Sequence, residues 1–302
     1  MVNKITKSRF KTFIAYDTIK MIIASIIACV LVVLIFNAVG KQPTDGQDFK
    51  LIIDSNIKIG KDIIDLFSDL KNRDEEDGGF SYEMLKGEPF ILRGSDENPT
   101  SYNLNSIYVP LSYDDVCVLP EDIFKDYVTA GNAKRIDLYI TEALAFCNQF
   151  LVGGEIDANK VFNYFELTRG KDSRFITKEQ KEQGKNSELK RIKAIYKNAN
   201  LLKDCFNAHP ELLYNCSYKS ETLGQTFEGA YAINISNLKG REDKNIANLF
   251  QINKEVSEKE PIVTTEGIYL AVGDTFDKTG DLFYEQLAFL VTLIKNYTNY
   301  LG

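Results

Sequence analysis

Between Met21 and Gly40 the chain carries no charged side chain: Met21-Ile-Ile-Ala-Ser-Ile-Ile-Ala-Cys-Val-Leu-Val-Val-Leu-Ile-Phe36, then Asn37-Ala-Val-Gly40. About 20 apolar residues in a helix span a hydrocarbon layer about 30 Å thick. A helix also satisfies its own backbone hydrogen bonds, which lipid cannot do. The segment is therefore expected to be a single transmembrane helix, with membrane lipid as its partner. The preceding tail, residues 1–20, holds Lys4, Lys7, Arg9, Lys11 and Lys20 against Asp17. A basic flank stays on the cytosolic side. The expected order is a cytoplasmic tail (1–20), an anchor in the cell membrane (21–40), a polar linker with Pro43 and Gly46 (41–48) and an extracytoplasmic domain (49–302).

Two other readings of the same stretch exist. Ala38-Val39-Gly40 offers small residues at which a signal peptide could be cut, but the apolar core exceeds the usual 7–15 residues. Ile26-Ile27-Ala28-Cys29 looks like a bacterial lipobox, yet the chain stays apolar through Phe36 after the cysteine. Processing at Cys29 is left open.

Residues 1–41 have a balance of +5 and the whole chain is −7, so residues 42–302 carry −12. Such a domain repels phosphate backbones, which argues against nucleic acid as a partner. With 44% hydrophobic and 26% charged residues the composition is that of a globular domain.

Apolar spacing predicts an α/β fold with a largely parallel sheet. Strands are expected at Phe49–Asp54, Pro89–Arg93, Ser106–Leu111, Asp115–Leu119, Gly229–Ile235 and Gly267–Val272. Helices are expected at Asn56–Leu70, Glu121–Val128 (opened by Pro120), 136–151 (stopped by Gly153-Gly154), 158–167, 178–205 and 281–301. The last helix is expected to show one apolar face: Leu282, Tyr284, Leu287, Leu290, Ile294, Tyr297 and Leu301.

The chemistry-bearing residues are sparse. His209 is the one histidine, so no HExxH or multi-histidine metal site exists. It is expected in a polar loop after a helix. Neither a GxSxG elbow nor a phosphate-cradling glycine motif is present. The run Lys71–Gly79 lacks the EF-hand spacing and reads as a solvated loop. Asp114 and Asp115 are neighbours on a strand and point to opposite faces. The acidic pair Glu121-Asp122 is explained by the helix start. No metal, cofactor or catalytic residue is expected. Cys117, Cys147, Cys205 and Cys216 fit no zinc spacing, and both disulfides and free buried thiols remain open. Asn215, Asn234 and Asn296 each begin a glycosylation sequon.

Three segments resemble the extracytoplasmic solute-binding proteins of bacterial ABC importers: Asp114-Asp-Val-Cys-Val-Leu-Pro-Glu-Asp-Ile-Phe124, Phe227-Glu-Gly-Ala-Tyr-Ala-Ile-Asn-Ile-Ser236, and Gly267-Ile-Tyr-Leu-Ala-Val272 with Phe283-Tyr-Glu-Gln-Leu-Ala-Phe-Leu290. The first is similar to that family's strand-to-helix turn, the second to the strand re-entering a lobe, the third to the late strand-and-helix unit. The segments 172–184 and Ala208–Tyr214 are similar to membrane-anchored relatives in low-GC Gram-positive bacteria. The chain departs from the family in lacking Trp and in its small outer domain. The resemblance implies a two-lobed binding-protein-like domain, a small solute, and a transporter permease as partner. A solute would lie outside the carboxyl ends of the strands. Tyr108, Asp115, Tyr231 and Tyr269, on or beside strands, are the candidate ligand-binding residues; the competing reading is that the tyrosines simply pack the core, with hydroxyls satisfied at the edge. The alternatives are a non-catalytic protein-interaction module and a cell-wall or glycan-acting enzyme.

Overall fold

The computed structural model describes residues 20, 25–31, 50–54, 56–72, 90–93, 115–168, 177–254, 262–273 and 281–301. The chain falls into two compact units, Pro43–Phe165 with Lys185–Gly302, and Met1–Gln42 with Glu166–Gly184. In the smaller unit, residues 25–31 are helical with exposed side chains. The rest of the expected anchor at 21–40 and the linker at 41–48 lie outside the described residues. Among the described residues no helix is long and apolar enough to cross a membrane. The smaller unit also holds a capping box: Gln180 N donates to Thr177 Oγ1 at 3.1 Å, and Thr177 N to Gln180 Oε1 at 2.9 Å.

The larger unit is built on a six-stranded sheet. Its strands are β1 (Lys50–Asp54), β3 (Phe90–Arg93), β4 (Asp115–Pro120), β7 (Leu213–Lys219), β8 (Thr226–Asn234) and β11 (Ile268–Val272), in the order β3-β1-β4-β11-β8-β7. Between them in sequence lie β2 (Ile57–Ile59), β5 (Leu151–Val152), β6 (Glu155–Ile156), β9 (Phe250–Lys254) and β10 (Ile262–Thr264). The helices are α1 (Asp62–Asn72), α2 (Glu121–Thr129), α3 (Ile136–Asn148), α4 (Ala158–Thr168), α5 (Lys178–Ala208) and α6 (Asp281–Tyr297). The mixed α/β class follows directly.

The sheet is not largely parallel. β1 runs parallel to β3 and β4, whereas β4–β11, β11–β8 and β8–β7 are antiparallel. The expectation failed because β11 is buried on both faces along its whole length. Such a strand reads as one apolar run whichever way its neighbours point. β2, β9 and β10 form a separate antiparallel sheet, and β5–β6 a hairpin. The strand expected at Ser106–Leu111 lies outside the described residues.

Two corrections have local causes. The helix expected from Asn56 begins only at Asp62, because Ile57–Ile59 pairs with β9. At the junction Gly60 N donates to Leu249 O at 2.9 Å, and a Cβ on Gly60 would lie 1.8 Å from the Asn248 carbonyl oxygen. Only glycine fits so close a backbone approach. The expected helix at 136–151 ends at Asn148, and Gly153-Gly154 forms the two-residue turn of the β5–β6 hairpin, not a helix stop. Both glycines have positive φ, 62° and 92°, as a type I′ turn requires.

One face of the large sheet packs the main core. Leu51, Ile53, Val116, Val118, Ile233 and Leu270 meet apolar residues of α1, α3, α5 and α6. α6 shows more than one apolar face: every residue from Phe283 to Ile294 is buried. A helix apolar on most sides is stable only inside a fold. The opposite sheet face is covered by α2, through Phe124 and Val128 on Cys117, Leu119, Ala232, Tyr269 and Ala271.

Candidate functional site

β4 ends at Pro120 and α2 starts at once with Glu121 and Asp122. This turn drops Phe124 onto the sheet, where it is fully buried. Three tyrosines ring it: Tyr269 at 5.1 Å, Tyr214 at 5.7 Å and Tyr218 at 6.3 Å between ring centroids. The rings of Tyr214 and Tyr269 lie 4.1 Å apart, tilted by 33°. Tyr214 and Tyr218 are four residues apart, two full periods of β7, so both side chains fall on the α2 face with Cys216 between them.

The Tyr214 and Tyr218 hydroxyls are hydrogen-bonded at 3.2 Å, and the Tyr214 phenol lies close enough to act on Tyr269. Burial pushes the Tyr218 and Tyr269 phenols well up from the ordinary tyrosine range, helped by the Tyr214 phenol and by the Glu121 charge. They therefore stay neutral donors and acceptors. Lys125 Nζ lies 5.9 Å from the Tyr218 ring centroid, within cation–π range. Tyr214 and Tyr218 are half-buried at the sheet edge, so the cluster keeps a rim open to solvent. It offers flat faces and neutral hydroxyls next to one carboxylate and one ammonium.

Of the four residues expected from sequence, Tyr269 belongs to this cluster. Tyr231 is in the same buried layer but outside the tyrosine ring round Phe124: Tyr214 pairs with Ala232 and Asn215 with Ala230, so Tyr231 is the extra residue of a β-bulge. Its ring packs on Phe227 at 6.1 Å. Asp115 opens β4, whereas Tyr269 pairs with Leu119 four residues on, about 13 Å along the strand. Tyr108 and the Asp115 side chain lie outside the described residues. Of the three described, Tyr231 and Asp115 lie towards the amino end of β4, away from Tyr269. Sequence reading missed Phe124, Tyr214 and Tyr218; the alternation Tyr214-Cys216-Tyr218 was the signal for them.

The remaining reactive groups are sequestered or at the surface. None of the five cysteines is in a disulfide. Burial pushes the Cys147 thiol up to about 12, and Cys205 and Cys216 to about 11. His209 stacks on Tyr300 at 3.6 Å and meets Glu211 Oε1 through Nδ1 at 3.1 Å, half-exposed beyond α5. An ion pair lies in the core: Arg191 donates to both carboxylate oxygens of Glu188, at 3.1 and 2.8 Å. Glu285 and Tyr164 lie close enough to act on Arg191 electrostatically. Among the described residues no group of three or more His, Cys, Asp or Glu is placed to hold a metal. Comparison with protein-family profiles, with characterised proteins and with solved structures finds no match.

Proposed function

We propose that this chain is a membrane-tethered, extracytoplasmic solute-binding-like module that works with an ABC transporter. In this reading residues 21–40 hold it in the membrane, the tail stays in the cytosol, and the acidic domain has the two-lobed binding-protein form. One observation carries the reading. The three segments that resemble solute-binding proteins become three adjacent strands, β4, β11 and β8, in the sheet. Segments far apart in sequence thus meet as one unit, with the strand-to-helix turn beside the tyrosine cluster. That cluster sits at the carboxyl end of β4, where open α/β sheets place ligands. Its aromatic faces and neutral hydroxyls suit a small polar solute.

The test is ligand-dependent thermal unfolding of the full chain in detergent, against sugars, amino acids and short peptides. A ligand bound only by the folded state stabilises it by about 2.7 kcal/mol at a hundredfold over its dissociation constant. A shift with one class, lost in Tyr214→Ala while the unliganded protein keeps its circular dichroism, supports solute capture at the cluster. No shift across the panel would turn the reading to a protein-interaction module.

A further inference from the structure

Beyond solute capture, we infer that strand β7 is a docking edge for a second copy of this chain. β7 closes one side of the six-stranded sheet, with β8 its sole partner strand among the described residues. It is seven residues long, Leu213-Tyr-Asn-Cys-Ser-Tyr-Lys219. Sheet edges are normally blunted by shortness, inward charges, proline or bulges. β7 has none of these: its one charge is Lys219, at the last position, and the bulge at Tyr231 belongs to β8. β10, by contrast, is an edge of three residues preceded by Pro261.

The occupant follows from the strand's own symmetry. Antiparallel pairing of β7 with itself, centred on Cys216, places Tyr214 opposite Tyr218 of the second copy and Asn215 opposite Ser217 of the second copy. Leu213 then faces Lys219 of the second copy, so no like charges meet. Each pair matches aromatic with aromatic or polar with polar, and the apolar Leu213 lies along the Lys219 stem. A two-fold interface must be self-complementary in just this way. The side chains agree with the demand: Asn215, Ser217 and Lys219 are exposed, and Tyr214 and Tyr218 keep their half-exposed rims. Pairing would extend the tyrosine row of one copy into that of the other and close the open edge.

Sedimentation equilibrium of the full chain in detergent tests this, with two variants on exposed positions. Asn215→Lys with Ser217→Lys sets lysine against lysine twice about the two-fold axis, and should weaken the dimer at least about tenfold. Asn215→Lys with Ser217→Glu sets lysine against glutamate twice, and should restore it. Hydrogen exchange gives an independent readout: the outward-facing β7 amides should gain protection as protein concentration rises. A monomeric wild type overturns the inference. A dimer indifferent to the lysine pair overturns it too, by placing the contact elsewhere, the apolar segment included. Failure of the lysine–glutamate variant to recover, or β7 amides whose protection ignores concentration, would also refute pairing through this edge.

Discussion

Replacing Arg191 by Met should be among the most damaging single changes in the larger unit. Glu188 is 3% exposed and Arg191 12%, and the pair is bidentate. Exposed ion pairs are worth about 0–1 kcal/mol. Removing one partner of a buried pair costs about 3–5 kcal/mol, because a charge is left in a medium that solvates it poorly. Arg191→Met leaves the Glu188 carboxylate without its guanidinium and also removes the positive charge that faces Glu285. The loss should therefore fall in the upper part of that range. Removing both charges, with Glu188→Leu and Arg191→Met together, no longer buries a Glu188 carboxylate without its guanidinium, and such replacements of a pair are often neutral; the loss of the Arg191 charge facing Glu285 is common to both variants. The double variant should thus be more stable than the single one, by about 2 kcal/mol or more. Urea unfolding followed by circular dichroism measures both. Acid should partly rescue the single variant, since a protonated carboxyl is cheaper to bury than a carboxylate. The reasoning fails if Arg191→Met costs under about 1 kcal/mol, as a surface pair would, or if the double variant is less stable than the single.

Gly60→Ala should disrupt the β2–β9 junction, since its Cβ would meet backbone rather than a movable side chain; a loss of at least about 2 kcal/mol in urea unfolding is expected. Tyr139→Phe should raise stability by about 1 kcal/mol in the same assay, because its hydroxyl is buried without a hydrogen-bond partner among the described residues. The Tyr218 and Tyr269 phenols are pushed up in the folded chain. Above about pH 10 the unfolded state therefore loses phenolic protons that the folded state keeps, so their contribution is complete below that pH and falls as pH rises through it. Absorbance titration of the native protein should show at least these two tyrosines ionising late, and unfolding midpoints should drop at alkaline pH.

Local signals carried much of the fold. Pro120 followed by Glu121-Asp122 marked α2, and apolar residues three and four apart marked α3 and the body of α6. What escaped depended on contacts distant in sequence. Ile59 completes a helical stripe with Ile63 and Leu66, yet it lies in a strand because Phe250 pairs with it and Asn248 comes against the next residue, Gly60. β7 has a single buried side chain, Cys216, among half-buried and exposed ones, a weak strand signal until β8 lies beside it. The candidate site was legible to the same extent. Tyr269 could be placed on a buried strand, but its meeting with Tyr214 depends on the register of β11 on β8 and of β8 on β7. The bulge that sets Tyr231 apart is a property of that register.

The tyrosine cluster and the β7 edge share two side chains, and that ties the two proposals together. Tyr214 and Tyr218 line the open rim of the cluster, and they are also the residues that a second copy would face. A solute resting on them and a second copy pairing beside them must therefore change each other's affinity by the same factor, whatever its sign. If the second copy closes the rim into a two-sided slot, solute binding should tighten the dimer. If it fills the rim, solute should drive the copies apart. The thermal shift caused by a ligand would then rise or fall with protein concentration in the wild type. It should lose that dependence in the variant carrying Asn215→Lys and Ser217→Lys.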